Sequence, residues 1–113
     1  MADDLAYADL GCYGGDIETP NIDNIARNGI RFSRFHSSPL CAPTRAMLLS
    51  GNDNHIAGMG NMFSRSNDFG YEGRLTDRIA TIPALLRHSG YHTYMTGKWH
   101  LGVDSLSNPS QKE

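Results

Sequence analysis

At 113 residues the chain has the length of a single domain at most. Hydrophobic residues make up 39% and charged residues 19%, too apolar for a disordered chain and too polar for a membrane one. No run approaches the ~18 consecutive apolar residues of a spanning helix, and the net charge of −2 leaves no electrostatic footprint for nucleic acid, so neither a membrane nor a nucleic-acid partner is expected.

The N-terminus, Met1-Ala2-Asp3-Asp4, has no basic stretch and no apolar region. It shows no signal peptide and predicts a cytoplasmic location if Met1 is the native start. The segment that follows is rich in turn-formers and acids, with Asp9, Gly11 and Gly14-Gly15-Asp16, and reads as loop. Thr19-Pro20 reads as an N-cap followed by Pro at the first helical position, Ile22, Ile25 and Ala26 share a face, and Gly29 is the stop. Ile30-Arg31-Phe32-Ser33 alternates as a half-buried strand does. Pro43 suits the first turn of a second helix that continues through Met47-Leu48-Leu49 and closes at Gly51, placing Cys41 at or just before its N-terminus. From 51 to about 78 no period is visible, and a loop of that length is functional or disordered in compact domains. Thr81 to Gly90 carries a Thr cap, Pro83 in the first turn and a terminal Gly, and predicts a third helix. Tyr91 to Thr96 is rich in strand-formers and stops at Gly97-Lys98-Trp99-His100. From Asp104 the chain is polar and reads as a tail.

Helices alternating with strands predict an α/β class with a mainly parallel sheet and flanking helices. Two strands do not complete such a sheet, so the layer is expected to be partial. Residues 1–103 form the folded part and 104–113 the polar tail. No internal repeat or low-complexity tract is present.

Three groups of residues could carry chemistry. Asp3-Asp4 offers oxygens to a hard divalent cation, or is a solvated terminus. At a helix start, the positive end of the dipole and Arg45 one turn on both favour an anion at Cys41; a small buried structural cysteine is the alternative. Cys12 and Cys41 make neither a disulfide framework nor a zinc pattern. Lys98 and His100 flank Trp99, and alternate residues of an extended segment point the same way. They could face one pocket as a cation and a proton carrier, or be a surface lysine and a partly buried histidine. His88 and His92 read as structural, and His36 and His55 stay open.

Taken together these residues resemble the sulfatase family, the formylglycine-dependent sulfuric ester hydrolases of the alkaline-phosphatase-like fold. Cys41-Ala42-Pro43-Thr44-Arg45 followed by Leu49-Ser50-Gly51 is similar to the family's C-x-P-x-R signature with its downstream extension, and Gly97-Lys98-Trp99-His100-Leu101-Gly102 to the second signature. Ala2-Asp3-Asp4, Gly11-Cys12-Tyr13-Gly14 and Thr19-Pro20-Asn21-Ile22-Asp23 resemble the N-terminal block, while His55 to Gly60 and Gly70 to Gly73 look most like the bacterial arylsulfatase branch. The resemblance spans residues 2 to about 103.

What it implies is a sulfatase acting on sulfate esters, with Cys41 oxidised to formylglycine by a formylglycine-generating (sulfatase-maturing) enzyme. The hydrate is then the nucleophile, and its second hydroxyl lets sulfate leave by C–O cleavage. Pro43 and Arg45 belong to the sequence that the maturing enzyme reads, and Arg45 later holds hydrate and sulfate. Asp3, Asp4 and the residue derived from Cys41 are implied as ligands of one divalent cation, Ca²⁺. Lys98 is implied to bridge the nucleophile and a sulfate oxygen, and His100 to hydrogen-bond the formylglycine hydroxyl. Family members run to several hundred residues, so the chain reads as a front fragment, inactive alone. Two other readings stand beside this one: a phosphonate monoester or phosphodiester hydrolase of the same superfamily, and a non-catalytic truncated remnant.

Overall fold

The computed structural model describes residues 1–102, and the polar tail expected from 104 onward lies outside them. The chain divides into two compact units, Met1–His36 and Ser37–Glu113. No helix of the described residues is long and apolar enough to cross a membrane.

One carboxylate organises the first unit. Helix α1 runs Pro20–Asn28, with Pro at its start and Gly29 at its C-cap, as the sequence predicts. Thr19 holds the N-cap position but makes no side-chain cap. Its hydroxyl instead donates to Asp23 Oδ1 at 2.8 Å and accepts from the Gly11 amide at 3.0 Å. The same Oδ1 accepts from the Cys12 amide at 2.8 Å, so the 3-10 turn Gly11–Tyr13 is stitched onto the first turn of α1. Position 11 must be glycine for this approach, because a Cβ there would lie 2.8 Å from Asp23 Oδ2. An earlier 3-10 turn, Tyr7–Asp9, is held by the Asp9 carboxylate accepting the Ala6 amide at 2.8 Å. The Tyr7 and Tyr13 rings stack with centroids 4.0 Å apart.

The second unit contains α2, Cys41–Ser50, and α3, Ile82–His88. Gly51 ends α2 in the left-handed region at φ 66°, its amide donating to Met47 O at 2.8 Å. Thr81 caps α3 by accepting the Ala84 amide at 3.3 Å. The core is small: Ala42, Ala46, Ala57, Met59, Leu75 and Leu101 are buried, with Leu49, Met62, Ile79 and Trp99 packed against them. Alanines let α2 press close to the chain, so the long connection from 51 to 81 supplies the bulk of the core.

That connection has no helix or strand, yet backbone hydrogen bonds cross it repeatedly. Gly60 N meets Gly70 O at 2.6 Å, Gly73 N meets Gly58 O at 2.9 Å, and Thr76 N meets Ala57 O at 3.2 Å. Glycines permit these crossings. At Gly58, where φ is +90°, a Cβ would sit 2.5 Å from Arg74 O. The segment is therefore an ordered loop folded on its own backbone.

Both predicted strands are absent. Residues 30–33 and 91–96 are coil, with Ile30 84% and Tyr94 89% exposed. Strand-forming residues make a strand only when a neighbour supplies a ladder, and the described residues contain no strand. The mainly parallel sheet of the expected α/β architecture is thus not seen in them.

Candidate active site

Cys41 is the first residue of α2, preceded by Leu40 in extended conformation at ψ 143°. The first backbone bond across this start is Thr44 N to Leu40 O at 3.1 Å. The amides of Cys41 and Ala42 precede it, and Pro43, fully buried, has no N–H. The helix thus presents the positive end of its dipole beside the sulfur. Thr44 Oγ1 donates to Ser38 O at 2.9 Å and ties the approach segment to the helix.

The second signature meets α2 through Arg45. Its Nε donates to Trp99 O at 2.8 Å, and its Nη2 donates to Lys98 O. Leu101 is fully buried, and its carbonyl accepts the Leu75 amide at 3.3 Å. Between these anchors His100 is held at φ 59°, a left-handed conformation that a non-glycine residue keeps only when its surroundings impose it. The outcome is that His100 Nδ1 lies 3.3 Å from Cys41 Sγ. Met62 Sδ lies 3.5 Å from the same sulfur. Alongside is a cavity of about 200 Å³ lined by Ala42, Met59, Met62, Phe63, Arg65 and His100 among others.

Of the residues singled out from sequence, Cys41, Arg45 and His100 come together, and Lys98 joins them through its carbonyl. Asp3 and Asp4 belong to the first unit and are exposed, Asp4 with φ 53°. Among the described residues no group of three or more His, Cys, Asp and Glu side chains gathers as a metal would require.

Sequence reading missed Met62. The available signal is Asn61, whose Oδ1 accepts the amides of Phe63 and Ser64, each at 3.0 Å. This Asx turn fixes the chain where Met62 lies. His55, left open by the sequence, links two parts of the loop: Nδ1 is 3.1 Å from Asp53 Oδ1 and Nε2 is 3.2 Å from the Tyr71 hydroxyl. The His55 amide and then its ring hold the Asp53 carboxyl below its usual range. At Glu72 burial pushes the carboxyl up, but backbone amides and Arg78, at 2.7 Å, outweigh it and leave it lowered.

A sulfur at a helix start, an imidazole in contact with it and a guanidinium one turn along are features of the enzymes that attack anionic esters from a helix N-terminus. The Sulfatase family model matches residues 1–112, and the chain belongs to that family. It is similar to an uncharacterized sulfatase of Schizosaccharomyces pombe, 47% identical over 99% of this chain and 22% of the relative. It is likewise similar to an arylsulfatase of Klebsiella aerogenes, 45% identical over 99% and 25%, and to the steryl-sulfatase of Homo sapiens, 43% identical over 95% and 19%. The chain spans a quarter or less of the length of these relatives.

Proposed function

We propose that the chain carries the nucleophile-bearing part of a sulfuric ester hydrolase, with Cys41 as the residue converted to formylglycine. One observation carries the reading. Two signatures whose key residues, Cys41 and His100, are 59 positions apart are clamped together by Arg45, with His100 Nδ1 3.3 Å from Cys41 Sγ. Family membership supports the alkaline-phosphatase-like architecture, residues 1–103 as the N-terminal part of its catalytic domain, and sulfate esters as the substrate class.

Each residue has a task that follows from its position. The amides at the start of α2 favour the sulfate anion, and the family resemblance adds the Lys98 ammonium as a further cation for it. His100 hydrogen-bonds the oxygen that replaces the sulfur of residue 41 and orients it. Arg45 keeps the Lys98–His100 turn against α2 and brings positive charge beside the ester. Formylglycine, once formed, supplies a hydrated aldehyde as the oxygen nucleophile. The carboxylates of Asp3 and Asp4 are hard oxygen donors of the kind Ca²⁺ takes, and such an ion would supply Lewis-acid charge.

The test is co-expression with a formylglycine-generating enzyme, followed by peptide mass spectrometry. Cys41 should change from thiol to aldehyde, whereas Cys12, without Pro and Arg at the same offsets, should remain a thiol. An unchanged Cys41, with a control substrate converted in the same cells, would overturn the proposal.

A further inference from the structure

We propose that, in its thiol form, Cys41 is one ligand of a site for a soft monovalent cation, Cu(I) or its analogue Ag(I), completed by Met62 and His100. A thiolate, a thioether and an imidazole are donors that select such ions over hard divalent ones. The spacing fits a small ion. With metal–sulfur bonds of ~2.3 Å and a metal–nitrogen bond of ~2.0 Å, the angle subtended at the metal is about 100° for both pairs, given 3.5 Å between Cys41 Sγ and Met62 Sδ and 3.3 Å between Cys41 Sγ and His100 Nδ1. A planar three-coordinate ion has angles nearer 120°, which both pairs reach by opening roughly 0.4–0.5 Å.

Three further observations support the site. Met62 and His100 both line a cavity of about 200 Å³, which also borders Ala42, the neighbour of Cys41, and leaves room for an ion beside them. The donors are held in advance: His100 by its left-handed backbone and the Arg45 clamp, and Met62 by the Asn61 turn. A monovalent ion also leaves the cluster neutral once the thiol has lost its proton. The site is independent of the proposed hydrolase function, because conversion of Cys41 removes the sulfur that defines it.

Ag(I) binding to the unconverted chain, measured by competition with a chromophoric chelator in thiol-free anaerobic buffer, tests this. One ion should bind per chain. Cys41→Ser should abolish binding and Cys12→Ser should leave it unchanged. Met62→Leu and His100→Ala should each weaken it by roughly 10–100-fold. X-ray absorption of the wild-type Cu(I) complex should show two sulfur ligands and one nitrogen, a readout that needs no variant to fold. Loss of binding in Cys12→Ser, indifference to both Met62→Leu and His100→Ala, or a sulfur-only shell would each overturn the site.

Discussion

Replacing Arg45 with Met should detach the Gly97–Leu101 segment from α2 while keeping most of the side chain's apolar bulk. The guanidinium donates to the carbonyls of Trp99 and Lys98. Hydrogen bonds that involve a charged partner contribute about 1.5–3 kcal/mol each. Two would give about 3–6 kcal/mol, but Lys98 is exposed and water replaces part of what is lost, so a net loss of about 2–4 kcal/mol is expected. The most direct reporter is the Leu75 amide, whose acceptor is the Leu101 carbonyl just beyond the clamp. Its hydrogen-exchange protection should fall by roughly 30- to 700-fold, since each 1.4 kcal/mol is a factor of ten. Arg45→Lys should be intermediate, because an ammonium is a point charge that cannot fork across two carbonyls. Unchanged Leu75 protection in Arg45→Met, together with an unchanged urea midpoint, would refute the idea that Arg45 holds the second signature in place.

Gly58→Ala should destabilise the second unit by about 2–4 kcal/mol, from the left-handed backbone together with a Cβ forced against Arg74 O and Thr76; a urea midpoint equal to wild type would contradict the close approach. Glu72→Gln should flatten the acid side of the stability profile. The Glu72 carboxyl is lowered from 4.5 in the folded chain, so its contribution is complete above that value and is lost as pH falls through the lowered one. Urea midpoints measured from neutral pH down to about 3 should converge for wild type and variant at the acid end, and parallel profiles would count against the Glu72–Arg78 contact.

What was legible in the sequence followed the range of the forces involved. The three helices announce themselves locally: Pro20 and Gly29 bracket α1, Gly51 ends α2, and Thr81 and Pro83 open α3. Even there Thr19 departs from expectation, because Asp23 and Gly11 compete for its hydroxyl. The strands at 30–33 and 91–96 depend on partners that propensity cannot supply, and they stay as coil. The loop from 51 to 81 is ordered through backbone bonds between glycines, which leave no hydrophobic period to detect. Cys41 and His100 could be associated beforehand only by resemblance, whereas Met62 and the carbonyl-binding role of Arg45 needed coordinates. Arg45 was expected to face an anion; its guanidinium also serves as a bracket for the chain that carries His100.

The burial of Pro43 places a constraint on time. On the proposed function, a maturing enzyme must read Cys41, Pro43 and Arg45 as an extended string. In the folded chain Pro43 is fully buried and Arg45 is engaged with a segment more than fifty positions downstream. The same residues cannot be read and packed at once. Maturation and folding therefore compete for one stretch of polypeptide, and the winner is set by when the Lys98–Leu101 segment becomes available to Arg45. During synthesis that segment emerges more than fifty residues after Cys41, which leaves an interval in which Cys41 is already outside while its lock does not yet exist. On the proposed function, a chain whose second signature closed early would be well folded and unconverted, so closure here has to wait for the maturing enzyme.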